Sequence, residues 1–185
     1  VINIGGADSA GIYGSNNFVG VSAVYGNEKI EIHNSGVIQS VSDQDNIYGI
    51  YSINEKVPVT DAIVTLTGSS RILLENSENS VGIFLENSTL NGSGIVEVGN
   101  EGIGLYGHNS VINLNSFTMN LSGNNALGFY LRGNTVFNAA GGLNTINING
   151  TNNILYYFTS DFNGSFNQDF IVNSAPGSTY MLGVI

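Results

Sequence analysis

This 185-residue chain contains no cysteine, so neither a disulfide nor a thiolate metal site can support its fold. Freedom from disulfides suits a protein that crosses a membrane unfolded, because a premature crosslink would trap a folded loop. Basic residues are also scarce: Lys29, Lys56, Arg71 and Arg132 stand against fourteen acidic residues, for a net charge of −10. A generic nucleic-acid or anionic-membrane binder needs the opposite balance, which sets both classes aside. No segment approaches the roughly 20 apolar residues that cross a bilayer as a helix, and no basic-then-apolar signal opens the chain. Charged residues amount to 10%, so solubility rests on uncharged polar side chains. Good helix formers are few, and helical spacing is nowhere convincing.

What the chain has in abundance is a recurring phrase: a small or apolar residue, glycine, an aliphatic or aromatic residue, then tyrosine or phenylalanine. It reads Ala10-Gly11-Ile12-Tyr13, Tyr48-Gly49-Ile50-Tyr51, Val81-Gly82-Ile83-Phe84, Ile103-Gly104-Leu105-Tyr106 and Leu127-Gly128-Phe129-Tyr130. A sixth copy, Ile154-Leu155-Tyr156-Tyr157, has leucine in the glycine position. From Gly82 the copies advance by 22, 24 and 27 residues (82→104→128→155). A second landmark, Leu74, Val98, Leu121 and Ile148, advances by 24, 23 and 27. Two landmarks in phase at this period identify a repeat architecture.

Short period-two alternations bounded by Gly, Asn and Ser read as strands. Three fall in each period, the second around Val64/Leu66, Leu90 and Ile112/Leu114, and the third at Ile72/Leu74, Val96/Val98, Met119/Leu121 and Ile146/Ile148. The expected fold is therefore all-β: a right-handed parallel β-helix with coils of about 22–27 residues and three short strands per coil. The whole of 1–185 reads as one such segment, a piece of something longer. Residues 12–62 form coils with insertions, 63–158 regular coils, and 159–185 a less regular continuation. The first two steps (11→49→82) carry excess residues, assigned to lateral loops at Asn16–Gly26 and Asn54–Ala62. Asn76, Asn100, Asn124, Asn87, Asn109 and Asn134 fall at the corners, where a left-handed backbone suits asparagine.

Alternation along Val81–Glu86 assigns Val81, Ile83 and Leu85 to the interior, and Gly82, Phe84 and Glu86 to the outside. Tyr13, Tyr51, Phe84, Tyr106, Tyr130 and Tyr157 should then form an outer aromatic ladder. Such a ladder either stabilises neighbouring strands or offers a platform to a sugar or protein partner. The second lateral loop, with Glu55, Lys56 and Asp61, is the other candidate binding surface.

Catalytic motifs find little support. Gly102-Ile103-Gly104-Leu105-Tyr106-Gly107 spells a dinucleotide fingerprint, yet it is one copy of the repeat and opens no helix. Asp43-Gln44-Asp45-Asn46 lacks the glycine and distal glutamate of a calcium loop. His33 and His108 have no second ligand at metal spacing. No catalytic residue, metal or cofactor is expected.

The Gly-Ile-Tyr phrases, asparagine-rich corners, acidity and absence of cysteine together resemble passenger domains of bacterial type V autotransporters. The similarity is greatest to the very large fusobacterial-type outer-membrane adhesins, and it covers about residues 9–158. It implies a monomeric rod displayed at the bacterial cell surface, anchored through an outer-membrane barrel outside this segment. Its partners would be a host-cell receptor, a glycan or the surface of another bacterium. A purely structural stalk is the alternative that the residues leave open, and a polysaccharide-degrading β-helix enzyme a more distant one.

Overall fold

The computed structural model describes residues 1–15, 30–41, 44–55 and 61–184. Sixteen strands, β1–β16 in chain order, lie among them, with no α-helix. They hydrogen-bond into two wholly parallel sheets. The first contains β2 (Ala10–Ser15), β5 (Tyr48–Ile53), β8 (Val81–Glu86), β10 (Ile103–His108), β12 (Leu127–Arg132), β14 (Asn153–Phe158) and β16 (Tyr180–Val184). The second runs β1 (Ile2–Ile4), β4 (Val37–Ser40), β7 (Arg71–Leu74), β9 (Thr89–Val98), β11 (Val111–Leu121), β13 (Val136–Ile148) and β15 (Ser165–Ser174). Beside it, β3 (Ile30–Asn34) pairs with β6 (Ala62–Leu66), which pairs with β9. This is a β-helix-like solenoid, in which each strand pairs with its counterpart one coil away.

The register reproduces both sequence landmarks. Tyr51 lies opposite Phe84, Phe84 opposite Tyr106, and Tyr106 opposite Tyr130. On the other sheet Leu74, Val98, Leu121 and Ile148 align in turn. Repeated apolar residues thus become continuous interior columns. Ile72, Val96, Met119 and Ile146 are fully buried, as are Ile50, Ile83, Leu105 and Phe129 from the opposing sheet. Each fully buried aliphatic side chain contributes roughly 1.5–3 kcal/mol, and no coil could form such a core without its neighbours.

The strand count per coil differs from expectation. In the first coils the second and third strands are separate, as β6 and β7. In later coils they fuse into the single long strands β9, β11 and β13, each with a register irregularity where the two halves meet. Gly92 (φ 132°) and Gly94 (φ 147°) make that bend in β9 without breaking it. Main-chain pairing continues through a corner that sequence punctuation marks as an end.

The glycines of the phrase also face the other way. A Cβ on Gly82 would run into Cγ1 of the buried Val96 and sit 2.6 Å from the carbonyl oxygen of Gly104. Ile83, the next residue, is fully buried too. Two successive positions therefore turn inward, breaking the strict alternation. The glycine lets the first sheet approach the second, and the aromatics do not cover it. At Leu155 the leucine is itself fully buried. The largest fully buried side chains of the core are Phe117, Phe129 and Phe137.

The corners divide their work between neighbouring residues. Asn87 (φ 47°) and Asn109 (φ 48°) adopt the left-handed conformation, as does Gly133 in the next coil. At the opposite corner the left-handed residues are Asp8, Asn46, Asn79, Glu101, Asn125 and Asn152. Asn100 and Asn124 act one position earlier, each accepting a backbone N–H from the following coil, from Asn124 and Thr151, at 2.9 Å. Further amide contacts link Asn113 to Asn91 and Asn147 to Asn120, both at 2.9 Å.

Candidate functional site

The outer face of the first sheet carries the aromatic ladder. Phe84 points outward between the inward Ile83 and Leu85, and parallel pairing puts the equivalent ring of the next coil directly above it. From Tyr13 to Tyr157, successive centroids are 5.4, 4.6, 4.5, 5.2 and 5.0 Å apart, with interplanar angles between 2° and 20°. All six ring positions anticipated from the phrase are brought together.

The chemistry of this surface follows from that geometry. Each internal rung uses both π-faces on its neighbours, so the ladder presents ring edges and phenol groups outward. Sugar stacking needs a free ring face. Tyr13, 65% exposed, is the rung with the most open surface. Burial raises the pKa of Tyr51, with further increments from Tyr48 and Tyr13. Burial also raises that of Tyr106, and the neighbouring Arg132 guanidinium opposes the rise.

A polar row runs alongside, two residues beyond the rings. Glu86, His108 and Arg132 occupy equivalent positions on β8, β10 and β12. His108 Nδ1 lies 3.3 Å from Glu86 Oε1, and its Nε2 lies 3.1 Å from the Asn109 amide. Arg132 donates to Asp161 Oδ2 at 3.1 Å and lies beside the Tyr106 phenol. The Thr159 hydroxyl and Arg132 hold the Asp161 carboxyl below its ordinary range. The row was readable by extending the phrase alignment two residues; Asp161 lies outside the phrase and had no such signal.

On the other side of the ladder, Tyr48 is the one aromatic in its column, which otherwise holds Ala10, Val81, Ile103, Leu127, Ile154 and Met181. Its ring stands at 80° to Tyr51, 4.9 Å away, and at 87° to Phe84, 5.9 Å away. Of the second candidate surface, Glu55 and Asp61 flank a segment whose centre, including Lys56, lies outside the described residues. The Asn16–Gly26 insertion also lies outside them. Among the described residues, no group of three His, Asp or Glu side chains is placed to hold a metal ion.

The chain matches no protein-family model, and neither curated proteins nor solved structures give a match.

Proposed function

We propose that this chain is a rod-forming segment of a bacterial surface adhesin: a right-handed parallel β-helix from an autotransporter-type passenger. The right hand follows from the strong chirality of crossovers between parallel strands. The observation that carries the reading is the unbroken coil-to-coil register of the first sheet from β2 to β16. Such a stack makes a stiff rod whose length grows with coil number, suited to holding attachment sites away from a cell. Display would occur through an outer-membrane barrel elsewhere in the full protein, with host receptors, glycans or other bacteria as targets.

The stalk reading has one specific observation in its favour: the internal rings face each other and not solvent. Binding to glycan arrays and host cells by the intact chain separates the two readings. Parallel measurements would use a 55–61 deletion and a Tyr106→Ala/Tyr130→Ala pair. Adhesion lost in either variant locates the binding surface. Failure of the intact chain to bind any target would leave the segment a spacer.

A further inference from the structure

We propose that a notch at the Tyr13 end of the ladder binds an organic ammonium group. The notch has a volume of about 240 Å³ and is lined by Asp8, Ser9, Ala10, Tyr13, Tyr48 and Tyr51. It arises from one local mismatch between coils. Ala10 pairs with Tyr48 in register, so a methyl group stands where the next coil carries a phenol. Tyr48 leans against Tyr51 and Phe84, leaving the space above Ala10 open beside Tyr13. Tyr48 stands at 80° to Tyr51, and among the described residues no ring stacks on it, whereas Tyr51, stacked between Tyr13 and Phe84, turns only an edge to the notch.

The choice of a cation rests on charge and hydrogen bonding together. Asp8 supplies a carboxylate at the rim, and none of the six lining residues is basic. The Ser9 hydroxyl already donates to the Ala7 carbonyl at 3.2 Å, which limits what it can offer a neutral polyol. The acidic side continues along the same corner: the Asp8 N–H bonds the Asp45 carbonyl, and Asp45 shares a second hollow with Glu75 and Glu78. The face of Tyr48, a ring outside the stack, beside the Asp8 carboxylate is a receptor for alkylated ammonium, and the surrounding negative field raises the local concentration of cations. The site does not depend on whether the rod is surface-displayed.

The test is titration of the 185-residue chain with choline, with Nα-acetyl-lysine amide, and with 3,3-dimethylbutanol as the neutral isostere of choline. Tyrosine-ring NMR shifts and calorimetry serve as readouts. Binding of at least one ammonium probe is expected, on the order of millimolar, with the isostere weaker by about tenfold. The choline and lysine arms tell a free or headgroup ammonium from a protein side chain. Tyr48→Val restores the residue type of the Val81 coil and so should fold, yet weaken binding by about tenfold. Asp8→Asn suits the left-handed backbone there (φ 54°) and removes only the charge. It should weaken binding and flatten its salt dependence. Equal binding of the isostere, no response to either ammonium probe, or unchanged affinity in Tyr48→Val would overturn the proposal.

Discussion

The rings of Phe84 and Tyr106 are parallel to within 2°, with centroids 4.5 Å apart on adjacent coils. That spacing is slightly tighter than the inter-strand distance of about 4.8 Å, so the rings lean together. Tyr106 and Tyr130 also stack, more loosely, at 5.2 Å and 19°. Adjacent rungs should therefore be energetically coupled. A double-mutant cycle on Tyr106→Ala and Tyr130→Ala, read by urea denaturation, should give a coupling of about 0.5–1.5 kcal/mol. A coupling near zero would mean that the rungs act independently.

Behind the ladder, the glycines set the distance between sheets. Gly82→Ala would meet the stiff Val96 side chain and the Gly104 carbonyl, 2.6 Å away. At Gly104 the obstructing side chain is the end of Met119, which can move, and the Gly128 carbonyl is 2.8 Å away. Overpacking of this kind costs about 1–3 kcal/mol. Gly82→Ala should lower the midpoint of thermal unfolding more than Gly104→Ala does. The reverse order would show that the Met119 thioether cannot move out of the way.

One asparagine pins the bend of β13 to that of β11. Asn144 is fully buried; its Oδ1 accepts the Phe117 N–H at 3.0 Å, and its amide donates to the carbonyls of Ala139 and Gly141 at 2.6 and 3.1 Å. Asn144→Ala should cost about 1–3 kcal/mol for each polar group left buried and unpaired. Asn144→Asp keeps the acceptor but sets carboxylate oxygens against two carbonyls, so it should not rescue stability. Amide hydrogen exchange at Phe117 would report the loss locally. Unchanged protection there would remove the asparagine from this role.

Stability should fall at alkaline pH. Burial raises the pKa values of Tyr51 and Tyr106, and raises that of Tyr156 further. Their folded-state values exceed the unfolded value near 10, so the full contribution is present below that pH. It is lost as pH rises through the folded values, because the unfolded chain releases protons that the folded chain retains. Phenolate absorbance should show a late-titrating class of tyrosines. Tyr156→Phe, which also removes a 3.1 Å hydrogen bond to Gln168, should flatten the alkaline decline. Equal steepness in the variant would place the effect in the ladder.

Much of the fold was legible because in-register stacking makes each coil a copy of its neighbour. A residue type recurring every 22–27 positions becomes a column, so the spacing of Leu74, Val98, Leu121 and Ile148 is enough to align them. The six rings followed by the same logic. Strict period-two counting failed at the glycine, because two inward residues in succession cannot be seen in a pattern that assumes alternation. Likewise, Ile112/Leu114 and Met119/Leu121 read as two strands, yet β11 runs through both, with Ser116 between them left-handed (φ 54°).

By itself the sequence determined which residues form columns, since a repeated period fixes equivalence whatever the shape of the coil. It also settled the acidity and the absence of covalent staples. The tertiary structure alone decided what lies between unlike positions. It turned Gly82 against Val96, brought Asp161 to Arg132, and opened the space between Ala10 and Tyr48. Those relations cross from one sheet to another, or arise where two copies of the repeat differ. Periodicity carries no information about either, because it reports only what neighbouring coils share.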